Sequence, residues 1–284
     1  MCIRVRLVFQ TRPPIVIPTS TPGLLIPSDR TPSMASLPSP PFVLIDGVHN
    51  YRDIGGHGLP PSSTSSVRRS LVFRSADPNR ASAAGVATLR ALGLSVIYDL
   101  RSAPELAKAA PVAIDGVARV WAPVFEEHDY APERIAVRFR QYASSGPDGF
   151  VHAYADILAS AGPSYRTVLL HLAQPCPTPC LIHCTAGKDR TGVLVALLLS
   201  LVGVPDDAVA DEYALTDVGL AEVKPAFIER LLENPALEGD EEGVRNMVGA
   251  KSGNMLATLE MLEGEVRGRG GVCEGGVRTE RGGG

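Results

Sequence analysis

The chain has 284 residues, 45% of them hydrophobic, and a formal net charge of -4 at pH 7, enough for one domain of about 220 residues plus tails and a single core. Its mild acidity argues against a general nucleic-acid binder, which needs a basic face. The longest apolar run, residues 193–204, falls short of the ~20 residues a membrane helix needs and reads as a buried core helix.

Residues 1–38 are rich in Pro, Ser and Thr without helical or strand periodicity, and are expected to be a disordered leader. Arg4, Arg6 and Arg12 faintly echo a targeting presequence, but Pro13, Pro14, Pro18 and Pro22 would break the amphipathic helix such sequences use. Residues 42–45 give the first expected strand, closed by the turn signal Asp46-Gly47. Asn50-Tyr51-Arg52-Asp53-Ile54-Gly55-Gly56 reads by itself as an Asx-type turn. Residues 71–75 read as a strand entering a helix, with Asp77 as N-cap and Pro78 in the first helical position; Val86, Leu89 and Leu92 form its apolar face and Gly93 ends it.

Residues 94–98 form the next expected strand, ending in Asp99-Leu100-Arg101. This strand, helix, strand succession predicts an α/β fold with a central, mainly parallel sheet flanked by helices. Another strand is expected over residues 117–124, followed by the polar loop Glu126-Glu127-His128-Asp129-Tyr130. Three helical faces follow, Ile135, Phe139 and Tyr142, then Val151, Tyr154 and Leu158, then Tyr165, Val168, Leu169 and Leu172. They are expected to form a helical cap or lid beside the site.

The centre of the chain is His183-Cys184-Thr185-Ala186-Gly187-Lys188-Asp189-Arg190-Thr191-Gly192, between a short apolar run and the long apolar helix. At a strand-to-helix junction the first helical N–H groups lack intrahelical partners, so the loop favours an anion. Gly187 lets several amides converge in a nest for phosphate oxygens, and Arg190 adds a planar two-pronged donor. The same field favours the thiolate of Cys184, a nucleophile whose attack on a phosphoryl group would yield a cysteinyl-phosphate for water to hydrolyse. That chemistry needs no metal and no cofactor.

Pro205 and Asp206 end this helix and start another, and residues 255–262 form a last amphipathic piece. Residues 264–284 are Gly- and Arg-rich without an apolar stripe and are expected to be a disordered tail. The five cysteines, Cys2, Cys176, Cys180, Cys184 and Cys273, are an odd count without a convincing signal peptide, which fits a reducing, cytoplasmic setting. Cys180 and Cys184 on an extended strand would lie roughly 13 Å apart, beyond the ~7 Å a disulfide tolerates. Cys176, folded back through the turn at residues 175–179, leaves a regulatory disulfide open.

The motif at residues 183–191 resembles the signature of the cysteine-dependent phosphatase superfamily, and its Gly-Lys-Asp-Arg-Thr ending resembles the bacterial and fungal tyrosine-phosphatase-like branch acting on phosphoproteins and phosphoinositides. The segments at residues 50–56, 73–76, 99–101 and 211–216 resemble the same branch in the same order, so the likeness spans roughly residues 42–262. It implies a phosphatase domain over residues 39–263, with Cys184 as nucleophile, Arg190 as phosphate clamp and the Thr191 hydroxyl as partner of the sulfur. Thr185, Ala186, Gly187 and Lys188 would bind the phosphoryl group, and Arg52 and Asp53 would pack beneath the site as ion-pair residues.

A general acid is worth typically ~10²–10⁴ in rate. Asp189, tethered in the loop, ranks first and Asp129 second; Asp99 and Asp77 are further choices, and Trp121-Ala122-Pro123-Val124 only loosely echoes the tryptophan-proline-aspartate acid loop of other tyrosine phosphatases. His183 is expected to orient the loop through backbone hydrogen bonds. The expected function is hydrolysis of phosphotyrosine proteins. Lys188 raises phosphoinositides as the alternative substrate, and a catalytically idle phosphate-binding module or an arsenate reductase are the competing readings.

Overall fold

The computed structural model describes residues 37–60, 64–111 and 113–270. The expected leader at residues 1–38 and tail at 264–284 therefore lie largely outside the described residues. Five strands form one sheet: β1 (Arg52–Asp53), β2 (Val72–Ser75), β3 (Val96–Asp99), β4 (Ala118–Trp121) and β5 (Cys180–His183). Their spatial order is β1-β2-β5-β3-β4, with β1 antiparallel to β2 and every other pairing parallel. The α/β class with a mainly parallel sheet is as expected.

Both faces of the sheet are covered, and β5 shows why its sequence is a continuous apolar run. Cys180 and Ile182 belong to the larger hydrophobic core, Leu181 to the smaller one, the pattern of a strand buried on both sides. The larger core packs the sheet against α4 (Asp148–Ser160), α5 (Gly162–Leu172), α6 (Asp189–Leu201), α7 (Asp206–Gly219) and α10 (Ser252–Gly270). The smaller contains Leu89 of α1 (Ala83–Ala91) with Ile45, Tyr51, Phe73 and Ile97. In an open parallel sheet, ligands collect beyond the carboxyl ends of the strands, and β5 delivers the Cys184 loop there from a central position.

The expected helix at Asp77 divides in two. Asp77 caps only the 3-10 turn Pro78–Arg80, while α1 begins at Ala83 under its own cap, Ser82, which accepts from the Gly85 N–H. Residues 42–45 make isolated bridges, Phe42 to Arg52 and Ile45 to Val48, rather than a strand. Pro38, Pro40 and Pro41 immediately before them have no N–H to give to a ladder. The strand expected at 117–124 covers Ala118–Trp121, and the Ala122 N–H to Asp99 carbonyl bond is the last rung of its ladder with β3.

Three helical faces do follow the polar loop, as α3 (Pro132–Ala143), α4 and α5, and α3 packs on α4 and on α9 (Glu241–Val248). Three further helices have no counterpart in the sequence reading: α2 (Ala103–Lys108), α8 (Lys224–Leu232) and α9. The amphipathic piece expected at residues 255–262 lies within a longer helix, α10, that runs from Ser252 to Gly270.

One buried ionic cluster joins β1, β2 and α7. Glu212 accepts from Arg52 Nε at 2.7 Å and Arg74 Nη1 at 2.6 Å, and all three residues are buried. Burial alone would raise the Glu212 pKa, but the two guanidinium groups hold it below the usual value. Asp53 instead accepts the Gly55 and Ser70 N–H groups, each at 2.8 Å. Glu212→Ala is expected to destabilise the fold by roughly 3–5 kcal/mol, the usual cost of leaving buried charges unpaired, as read from denaturant unfolding. A variant within 1 kcal/mol of wild type would show that the cluster contributes little.

Candidate active site

The residues 184–188 form the loop between β5 and α6, and the cluster just described holds it from below. Arg74 Nη2 donates to the Gly187 carbonyl at 2.6 Å, and Asn50 Nδ2 donates to the Ala186 and Gly187 carbonyls at 3.1 and 3.3 Å. With its carbonyls taken up below, the loop leaves its N–H groups for the opposite side, the arrangement an anion nest needs. Gly187 has a φ of +65°, and a Cβ there would lie 2.1 Å from the Ser75 carbonyl oxygen; no other residue type fits.

His183 is fully buried beside Asp99 and Arg119. Arg119 Nη2 lies 3.2 Å from its Nε2, and its Nδ1 lies 3.1 Å from the Cys184 carbonyl oxygen. Since a guanidinium only donates, Nε2 is the acceptor and the proton sits on Nδ1, donating to that carbonyl. Burial pushes the imidazole pKa down to about 4, so the ring is neutral near pH 7 and orients the loop without serving as a cation. Cys184 is buried at the start of the loop that leads into α6, and the first N–H groups of a helix have no intrahelical partner. Cys180 is buried and unpaired, its thiol pushed up to about 12 by burial, and Cys176 is exposed and unpaired.

Arg190, in the first turn of α6, is held by a residue the sequence reading missed. Glu105 on α2 accepts from Arg190 Nη1 at 2.6 Å and Nη2 at 2.8 Å. The same carboxylate accepts from the Ser102 N–H and Tyr130 hydroxyl, each at 2.9 Å, and from the Thr185 hydroxyl. Burial opposes both charges, but each overcomes it for the other, so the Glu105 pKa is held well below and the Arg190 pKa well above its ordinary value. This end-on pairing uses both terminal nitrogens and leaves the Nε edge of the guanidinium for an oxyanion. The only sequence signal was Ser102-Ala103-Pro104-Glu105, a capping box opening a short helix.

Asp189 Oδ1 accepts from the Tyr154 hydroxyl at 2.9 Å and lies 3.3 Å from Lys188 Nζ, and Tyr154 in turn shares a 2.7 Å hydrogen bond with the Tyr213 hydroxyl. Burial keeps both phenols protonated. Lys188 is buried, with its ammonium donating to the Met247 and Gly249 carbonyls and lying 5.0 Å from the Phe150 ring centroid. Thr191 is buried, and its hydroxyl has no hydrogen-bond partner among the described residues, the Cys184 sulfur included.

Asp129 is not brought to the loop. Its carboxylate accepts from Arg134 at 3.0 Å and the Glu126 N–H at 3.1 Å, and it lines a separate cavity between α3 and α4. Asp99 is wholly buried between Arg101 and Arg119, which hold its pKa well below the usual range against the effect of burial. Asp77 does line the loop's cavity, where burial raises its pKa, but Arg101 and Asn79 occupy both its oxygens. Trp121 is 52% exposed and donates to the Arg101 carbonyl, and Val124, where an acid loop would carry aspartate, is buried in the core. Thr185, Ala186, Lys188, Asp189 and Glu105 thus line one cavity of about 470 Å³.

A sequence model of the tyrosine phosphatase family matches residues 43–274. A Cupriavidus necator protein named as a tyrosine-protein phosphatase is 30% identical over 257 residues, 84% of this chain and 92% of its own. The triple specificity protein phosphatase PtpB of Mycobacterium tuberculosis is 28% identical, across 66% of this chain and 73% of its own. A tyrosine-protein phosphatase of Nostoc commune is also 28% identical, across 71% and 69%. The chain belongs to the tyrosine phosphatase family and is a phosphoric monoester hydrolase of that type.

Two outcomes test this geometry. Glu105→Gln keeps the shape but removes the charge that orients Arg190, and is expected to lower kcat/KM for an aryl phosphate by about 10–100-fold, in the range of a lost charge-assisted contact; an unchanged kcat/KM would show that Arg190 aligns unaided. For His183 the folded pKa of about 4 lies below the ordinary 6.5, so the unfolded chain binds the extra proton between those values. Its contribution to stability is complete above about pH 6.5 and falls as pH drops toward 4, by at most about 3 kcal/mol. Unfolding free energies measured from pH 7 to pH 4.5 should therefore decline, with a flatter profile in His183→Asn.

Proposed function

We propose that the protein dephosphorylates phosphotyrosine-bearing proteins through a cysteinyl-phosphate on Cys184. The observation that carries this reading is the convergence of Cys184, the N-terminus of α6 and the Glu105-aligned Arg190 at the carboxyl end of β5. In the first step the Cys184 sulfur bonds to phosphorus while the bond from phosphorus to the tyrosine oxygen breaks. The charge on the equatorial oxygens falls to the loop N–H groups at residues 185–190 and to the Arg190 side chain. Water then attacks phosphorus, releasing inorganic phosphate and the thiolate.

Asp189 serves as the acid for the tyrosine oxygen, and afterwards as the base for water. Its contacts with Tyr154 and Lys188 both fall on Oδ1 while the residue borders the loop's cavity, which favours it over Asp129. Thr191 is buried in the first turn of α6, and its hydroxyl, unpartnered among the described residues, is assigned to the thiolate of Cys184. Lys188 acts on the protein rather than on the substrate, since Met247, Gly249 and Asp189 take up its ammonium. Unpaired Cys176, Cys180 and Cys184 support a reducing, cytoplasmic setting, and no helix among the described residues is long and apolar enough to cross a membrane.

Cys184→Ser is expected to abolish turnover of phosphotyrosine peptide, and acid quenching of the wild type should trap phosphate on Cys184. Asp189→Asn should slow a phenyl phosphate by about 10²–10⁴ while slowing an activated aryl phosphate far less. Equal losses on both would remove Asp189 as the acid.

A further inference from the structure

The cavity beside the catalytic loop exceeds what a phosphoryl group requires. At about 470 Å³ it lies in the range of pockets that enclose a drug-sized ligand. Beyond the loop its wall comes from Phe139 of α3, Phe227 and Leu231 of α8, and Met247 of α9. Phe139, Phe227 and Leu231 belong to neither hydrophobic core, and no residue of α8 is fully buried. Large apolar side chains left out of the core yet gathered around a catalytic loop are available for a ligand.

The charges on the wall narrow the ligand. Arg101 is committed to Asp99 and Asp77, and Lys188 to carbonyl oxygens and Asp189. Lys108 and Arg230, both exposed, are the other basic residues of the lining, against the carboxylates of Asp77, Glu105 and Asp189. Those three carboxylates already pair with Arg101, Arg190 and Lys188, so a head group bearing several phosphates would find two uncommitted cations in the lining, Lys108 and Arg230, against a wall that is otherwise apolar. A single phosphoryl group attached to an apolar body matches the wall. An extended peptide sets side chains of one face about 7 Å apart, so a residue near phosphotyrosine reaches the same cavity.

We propose that this cavity is a specificity pocket for a bulky apolar side chain flanking the phosphotyrosine of a protein substrate. The proposal rests on the phosphotyrosine reading above and names the feature of the substrate that this site selects. Apolar burial of a leucine-sized group against Phe139, Phe227 and Leu231 lowers KM for substrates that carry one.

The test compares two phosphotyrosine peptides that differ only in having leucine or glycine at the flanking positions, with the full chain and with a Phe227→Ala, Leu231→Ala double variant. The wild type is expected to favour the leucine peptide by about tenfold or more in kcat/KM, and the double variant to bring that ratio close to one. Because the ratio is internal to each protein, partial loss of folded enzyme does not alter it. A wild-type ratio near one, or a ratio that survives in the variant, overturns the proposal. So does better turnover of soluble inositol trisphosphate or of a long-chain alkyl monophosphate than of the leucine peptide. Turnover of a plain aryl phosphate is measured alongside: its absence from the wild type would sink the phosphatase reading itself, whereas its presence without peptide discrimination would sink the pocket alone.

Discussion

The site depends on one buried ion cluster, in which Glu212 is shared by Arg52 and Arg74 and Arg74 passes a hydrogen bond on to the Gly187 carbonyl. A loop that presents its N–H groups to an anion must place its carbonyls elsewhere, and buried carbonyls need donors. Arg74 and Asn50 supply them from beneath. Two buried guanidinium groups are tolerable because a carboxylate compensates them and further oxygens take up most of their remaining N–H groups, Arg74 Nε alone lacking a partner among the described residues. The Glu212 carbonyl and the Thr216 hydroxyl, each 3.0 Å from Arg52 Nη2, do so. Segments distant in the chain, β1, β2 and α7, are thereby locked under the same loop.

A second ion pair, between Glu105 and Arg190, engages the loop separately from the lower cluster. Glu105 engages Arg190 and Thr185 at once, so the Arg190 guanidinium is held in one orientation, as the proposed role of phosphate clamp requires. Such preorganisation is the main source of electrostatic stabilisation in transfer reactions, because no dipole has to turn during the step. The lower cluster shapes the loop and the second pair aims its arginine. The thiol of Cys184 is the group left to react.

Lys188 shows how local chemistry and tertiary placement diverge. In the sequence it stands among phosphate-binding residues and reads as added positive charge for an anionic head group. In the fold its side chain turns to the end of α9, where the Met247 and Gly249 carbonyls and the Phe150 and Tyr142 rings receive it. A lysine has four flexible carbons, so its charge can be delivered several ångströms from its backbone. Asp129 diverges similarly: a carboxylate in a polar loop is free to act in the linear chain, whereas in the fold it closes the cap of a short 3-10 turn and pairs with Arg134.

The sequence by itself determined the parts set by short-range order. Apolar runs gave β5 and α6, the strand and helix successions gave the parallel sheet, and the spacing of Cys184, Gly187 and Arg190 gave the loop between them. These follow from backbone geometry over a few residues, where periodicity and glycine conformations are readable. Only the tertiary structure decided that Glu105 meets Arg190, that Tyr154 meets Asp189, that Asp77 caps a turn separate from α1, and that α8 and α9 wall the cavity. The Glu105, Tyr154 and cavity-wall contacts pair residues far apart in the chain, and a linear sequence carries no local signal for which distant groups will share a buried site.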